Sequence, residues 1–285
     1  MKRGIAWLTA LVMALALTAC TQMAQPGDTA QSDNGGGTQP APAEPDAGYS
    51  TGGGEIVQLN GFRSIDIEWV NGAVSVELYD GEGIELTETA MDGGPASQKM
   101  EWRVDEDDST LDIRSQPQLV SLSEEKRLTV RLPRSMVLYE LDIDTVSADV
   151  SVDLTEEDTL MLTELDVTSV SGAVSVNAAN AGEISLSTTS GDISGSVRTQ
   201  KLEADSVSGA VELTLDTLPV ELEMETTSGG ILLKVAEGIL PASGLRIDFR
   251  TTSGAFVCTA PYTEVRDGGW EFDTVSGSLD IRTVQ

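Results

Sequence analysis

The sequence predicts an all-β, single-domain β-solenoid, and three observations carry that prediction. A short phrase returns six times: Ser169-Val170-Ser171-Gly172, Thr188-Thr189-Ser190-Gly191, Ser206-Val207-Ser208-Gly209, Thr226-Thr227-Ser228-Gly229, Thr251-Thr252-Ser253-Gly254 and Thr274-Val275-Ser276-Gly277. Its glycines are 19, 18, 20, 25 and 23 residues apart, and self-similarity at this period marks stacked repeats that bury their apolar faces against one another. Around each phrase apolar residues alternate strictly, as in Leu165, Val167 before and Val174, Val176 after. Period-two alternation is the strand signal, and the one-residue slip at Ser-Gly reads as a bend or bulge. No segment makes a convincing amphipathic helix; Glu156 to Leu165 comes nearest and reads as a turn feeding a strand.

A repeat is therefore strand, kink, strand, turn. Gly72, Gly172, Gly191, Gly209, Gly229, Gly254 and Gly277 fall at the kink, where a residue without Cβ can take positive φ. This register turns a hydroxyl pair inward in each repeat (Thr188 with Ser190, Ser206 with Ser208), which then needs hydrogen-bond partners. The residue between them faces out: Val146, Val170, Thr189, Val207, Thr227, Thr252 and Val275. Stacked, these form a Val/Thr stripe. It is either plain strand preference or a flat surface for binding or self-association.

Taken in order, residues 1–19 form a secretory signal. Lys2 and Arg3 precede an apolar run from Ile5 to Leu17 that is too short for an ordinary membrane span. It ends in Leu17-Thr18-Ala19-Cys20, which resembles the lipobox of bacterial lipoproteins. That resemblance implies cleavage before Cys20 and diacylglycerol on its thiol, so the membrane becomes a partner through the lipid. Residues 20–54 then read as the lipidated Cys and a tether, with Gly35-Gly36-Gly37, Pro40, Pro42, Pro45 and Gly52-Gly53-Gly54 among small polar residues. A flexible coil of this length spans on the order of 30 Å.

Residues 55–285 form the solenoid domain, with an irregular strand-rich beginning. Ile65, Ile67, Trp69, Asn71, Gly72, Val74 and Val76 already match the repeat register. Ile84 to Leu86, Met100 to Val104, Leu111 to Ile113 and Leu128 to Leu132 alternate without the Ser-Gly phrase. Leu141 to Val152 restart the array, with Ala148 where the glycine would be. Lipobox, tether, irregular first part, a Leu132-Pro133 step and serial Ser-Gly-x-Val/Ile rungs resemble the bacterial "putative-adhesin" family of β-strand-repeat lipoproteins of unknown function. The resemblance covers roughly residues 60–285. It implies a right-handed parallel β-helix at the cell surface or in the periplasm, and it supplies no catalytic residues.

Composition narrows the chemistry. The chain has no histidine, which removes Ser-His-Asp and Cys-His nucleophiles and His-ligated metals. With Cys20 acylated, Cys258 is the one thiol left and reads as a small inward hydrophobe. With 47 acidic and 17 basic residues the net charge is −30, which repels nucleic acid and favours cationic or neutral partners. Asp105, Glu106, Asp107 and Asp108 form an acidic hairpin tip whose oxygens suit calcium, but without a glycine-spaced loop it reads as solvated and no metal is assigned. Acids such as Glu221, Glu223 and Glu225 alternate outward along a strand, and aromatic sugar platforms are scarce, which argues against a polysaccharide-cleaving enzyme. No cofactor is expected. What remains is a lipid-anchored, extracytoplasmic binding or adhesion module for a glycan, wall polymer or envelope protein. The alternative is a spacer or regulator that self-associates through an open last strand, Leu279 to Gln285.

Overall fold

The computed structural model describes residues 48–53, 55–57, 63–97, 99–105, 107, 109–115, 125–155 and 161–284. Within them, strands β1 (Ser50–Thr51), β2 (Glu55–Val57), β3 (Ser64–Trp69), β4 (Gly72–Tyr79) and β5 (Ile84–Ala90) come first. Next are β6 (Glu101–Asp105), β7 (Thr110–Arg114) and β8 (Lys126–Pro133). The repeat array holds β9 (Val137–Thr145), β10 (Asp149–Leu154), β11 (Met161–Ser169), β12 (Val174–Thr188), β13 (Ile193–Ser206), β14 (Val211–Leu215), β15 (Glu221–Thr226) and β16 (Ile231–Ala236). A 3-10 turn at Glu237–Ile239 leads to β17 (Leu245–Thr251), β18 (Phe256–Cys258), β19 (Tyr262–Glu264), β20 (Trp270–Thr274) and β21 (Leu279–Val284).

Alternation in sequence becomes alternation in burial, because successive side chains leave a pleated strand on opposite sides. In β10, for example, Val150, Val152 and Leu154 are buried while Asp149, Ser151 and Asp153 are exposed. Each rung lays one strand on a first face, turns at Ser-Gly, and lays a second strand on the opposite face. The first face runs β7, β3, β9, β11, the later parts of β12 and β13, β15, β20, β17, all parallel. The second runs β8, β4, β10, the early parts of β12 and β13, β14, β16, β21, β18, again all parallel. One core lies between them, where Ile65, Ile67, Leu141 and Ile143 of the first face join Val74, Val76, Val150 and Val152 of the second. This is a β-solenoid whose sheet stays open.

The rungs do not stack in chain order at either end. β3 and β4 lie between the later β7–β8 pair and β9–β10. At the other end β20 and β21 lie between β15–β16 and the earlier β17–β18. Both terminal rungs are thus tucked inside, and the last strand is interior rather than the open edge expected from sequence. The strand that closes the second face is β18. At the first end the outer rung is capped by antiparallel strands, β6 on β7 and β5 on β8, with β1 and β2 beyond them.

Two further expectations are corrected at the corner. The second hydroxyl of each phrase faces out: Ser171, Ser190, Ser208, Ser228, Ser253 and Ser276 are all exposed. The chain turns there, so two consecutive residues leave on the outer side and alternation breaks for one step. The glycines, except Gly72 (φ 101°), do not take positive φ. They are needed because corners stack closely, so a Cβ on Gly172 would lie 1.9 Å from the Ala148 carbonyl oxygen and one on Gly209 1.8 Å from that of Gly191.

Candidate functional site

The corner is a built feature. The first hydroxyl of the phrase pins the turn at Ser169, Thr188, Thr226, Thr251 and Thr274, whereas Ser206 Oγ is buried with no hydrogen-bond partner among the described residues. Ser169 Oγ accepts from the Gly172 N–H at 2.9 Å, Thr188 Oγ1 from Gly191 at 2.9 Å and Thr226 Oγ1 from Gly229 at 2.9 Å. Thr274 Oγ1 donates instead to the Gly277 carbonyl at 2.9 Å. The second hydroxyl ties the turn to its neighbour: Ser171 Oγ donates to the Val146 carbonyl at 3.2 Å, Ser190 to Val170 at 3.3 Å, and Ser208 to Thr189 at 3.2 Å. The same link joins Ser228 to Val207, Ser276 to Thr227 and Ser253 to Val275. Backbone N–H groups run in parallel with it, as in Ser190 to the Val170 carbonyl at 3.1 Å. Each donor of these two ladders has its acceptor one rung away, so the turn repeats at the strand spacing of about 4.8 Å.

On this scaffold the β-branched residues form one row. Its spatial order is Val146, Val170, Thr189, Val207, Thr227, Val275, Thr252, the last two inverted by the tucked rung. Exposure rises along it, and Val207 and Val275 are 44% and 52% exposed. The row carries no charge in a chain of net −30.

The outward side of the first face is the opposite in character. Register places Asp112, Asp66, Asp142, Asp166, Ser185, Glu203, Glu223, Glu271 and Asp248 in one row across successive strands. Carboxylates one strand apart repel, and each also loses hydration to its neighbours. Burial, helped by Asp144, Asp166, Asp66 and Glu140, pushes Asp142 up to about 8. Burial with surrounding carboxylates raises Asp66 and Asp166 to about 6 and, in the adjacent row beside Glu225, Asp205 to about 7. Sequence reading took such acids as a solvated face, because only the pairing register reveals that they stack.

The sign of the pH dependence follows. Between the ordinary Asp value near 3.8 and these raised values, the folded chain keeps protons that the unfolded chain has released. Stability from these acids is therefore greatest near pH 4 and falls as pH rises through 6 to 8. Thermal melts should give a higher Tm at pH 5 than at pH 8.5, with Asp142→Asn flattening the difference. A Tm that climbs from pH 5 to 8.5 would refute the repulsive row.

The acidic tip sits where expected, between antiparallel β6 and β7. Asp105 Oδ1 accepts from the Asp107 N–H at 3.0 Å, and the Asp105 carboxylate lies 3.7 Å from Arg103. Glu106 and Asp108 lie outside the described residues, as does Cys20. Among the described residues no group of three or more acids, Cys or His is placed to hold a metal. Cys258 is partly buried on the inward side of β18, and burial raises its thiol pKa. Sequence reasoning missed a cleft of about 700 Å³ beside the tucked rung. β20 begins only at Trp270, so Glu221 and Leu222 of β15 are held apart from Leu245 and Arg246 of β17. Trp270 is buried at its base and donates its indole N–H to the Pro219 carbonyl at 3.2 Å.

The family model "Toastrack DUF4097" matches residues 62–285, which spans every parallel rung. The chain belongs to the Toastrack family. No curated protein matches it. Among solved structures, the Toastrack chain is similar to one described as a "putative cell adhesion protein" from Clostridium sporogenes, at 11% identity and TM-score 0.37, over 83% of this chain and 99% of that one. A "putative adhesin" from Bacteroides fragilis matches at 15% identity and TM-score 0.40, over 84% and 99%. A "putative lipid binding protein" from Parabacteroides distasonis matches at 12% identity and TM-score 0.43, over 84% and 98%.

Proposed function

We propose that this chain is a non-enzymatic binding or adhesion module, anchored by lipid on Cys20 and displayed outside the cytoplasm on a tether shorter than the sequence suggested, because Tyr49 and β1 already pack on the domain. The observation that carries the reading is the corner row. A flat, uncharged line of Val and Thr, fixed by two hydrogen-bond ladders, is a preorganised surface that needs no reordering to bind. The strongly acidic face beside it discourages nucleic acid and anionic lipid. A glycan, a wall polymer or a neutral to cationic envelope protein is the partner class that suits both.

The test is retention of the full chain on the cell envelope of its own host at physiological salt. Saturable, competable binding is expected, and Val207→Lys with Val275→Lys should weaken it at least tenfold without lowering Tm. Both positions are exposed, so folding is not at stake. Binding that ignores both changes would remove the row from the function, and absence of any saturable binding would remove the module reading.

A further inference from the structure

The two ends of the solenoid are built differently, and the difference points to a partner. The end near β1 is closed by the antiparallel strands β5 and β6. Tyr49 lies over Arg114, with its ring centroid 3.8 Å from the guanidinium carbon, so the chain enters the domain at this end. The far end finishes on the rung β17–β18, of which only the first half of β17 is covered, by β19.

On β18 the Leu279 N–H donates to the Ala255 carbonyl and the Thr259 N–H to the Ile281 carbonyl. Residues 255, 257 and 259 therefore turn their backbone toward β21, and Phe256 and Cys258 turn theirs outward. No strand among the described residues pairs with that side. On β17, Leu245 and Ile247 bond toward β19, which leaves Phe249 and Thr251 facing out beyond the end of β19. Side chains tell the same story. Interior counterparts of Phe256 (Leu279, Ile231, Val211) and of Cys258 (Ile281, Leu233, Leu213) are at most 2% exposed, whereas Phe256 and Cys258 are only partly covered. Phe256 packs on Phe249 and Tyr262 at 5.3 and 5.2 Å, while Val257 and Tyr262 are 53% and 44% exposed.

A row of unpaired backbone groups is a template for another strand. Thr251 to Thr263 is thirteen residues without a charge in a chain of net −30, so this end is where two copies approach with least repulsion. The other end of the same chain does not fit it, because its outer strands are antiparallel and lack the Ser-Gly corner. Head-to-tail stacking has no matching edge. Two bare ends related by a two-fold do match: their edges meet antiparallel, and the contact closes at two copies.

We propose that this chain binds a second copy of itself end to end, β17–β18 against β17–β18, as a homophilic contact. The inference extends the adhesive reading above. In such a pair the two entry points lie at opposite extremes, each about ten strand spacings, roughly 48 Å, from the contact. Copies anchored through their N-termini then join facing surfaces rather than neighbours on one surface. An end two strands wide is small against the ~1,600 Å² of a standard interface, so each contact is weak and many copies act together.

The experiment couples the full chain through its N-terminus to beads, which keeps the outcome independent of lipidation, and measures bead clustering with no other envelope component present. Clustering is expected, and Val257→Lys, at an exposed edge position, should reduce it at least tenfold with Tm unchanged. Tyr262→Asp is the second variant, with the same expectation. Val207→Lys with Val275→Lys, on the corner row, should leave clustering intact although the binding test above requires that pair to weaken envelope retention, so the two proposals can fail separately. No clustering, or clustering that survives both end variants, overturns the homophilic contact.

Discussion

Gly191→Val should prevent the solenoid from forming a stable core. Even a Cβ at this position would lie 1.9 Å from the Gly172 carbonyl oxygen, and the atom it meets is backbone in the neighbouring corner. Contacts under 3 Å cannot be relieved by a rotamer change, so the rung must lift away from its neighbour. That breaks the pairing of β11 with the later part of β12 on the first face, the pairing of the early parts of β12 and β13 on the second, and the Ser190 link to Val170. Single substitutions that cost more than about 4–5 kcal/mol are exceptional, and overpacking in a core is one of the few mechanisms that reaches it. Gly191→Val belongs in that class. Gly230→Ala is the control: its nearest contact is Ser278 Oγ at 3.6 Å, and its stability should stay within about 1 kcal/mol of the parent. Urea or thermal unfolding of both variants reads the result. A Gly191→Val chain that melts with the parent would mean that the corners are not stacked this closely.

The glycine also illustrates how far the sequence could be read. Alternation located the strands, and the Ser-Gly phrase located the corners, because side-chain periodicity and backbone geometry are local properties. The outward placement of Val146 through Val275 was legible for the same reason. The cause of the glycine was not legible: positive φ and close approach both demand a residue without Cβ, and only the neighbouring rung distinguishes them. The second serine went wrong because a tight turn spends two residues on one side. Rung order was hidden more deeply. Leu279-Asp280-Ile281 and Phe256-Val257-Cys258 both place apolar residues at their two inward positions, so those positions do not say which strand lies inside. The stacked acids share that cause, since their raised pKa values belong to the register and not to any one strand.

Lys126→Met should cost about 3–5 kcal/mol, because it leaves a carboxylate buried without its counter-charge. Lys126 Nζ and Glu88 Oε1 are 2.6 Å apart, with side chains 4% and 0% exposed. The pair sits where three strands meet, since Lys126 is opposite Gly72 on β4 and Ala90 on β5. Glu88 Oε2 also accepts from the Met100 N–H at 2.9 Å, and Lys126 Nζ lies 4.8 Å from the centre of the Trp69 ring. One ion pair thus joins the tucked first rung to the antiparallel cap, at the end where the chain has no regular rung to stack on. Apolar burial alone could hold such a cap, but it would not fix which strand covers which. A domain of this size loses about 2–4 °C per kcal/mol, so Tm should fall by roughly 10 °C. Lys126→Met with Glu88→Gln should recover more than half of that, because Gln removes the stranded charge and keeps an acceptor for Met100. A single variant within about 1 kcal/mol of the parent, or a double variant no better than the single, would show that the cap is held by packing and not by charge. The chemistry at the two ends then differs: a buried ion pair specifies the closed end, and the uncharged stretch from Thr251 to Thr263 leaves the other end free to meet its own copy.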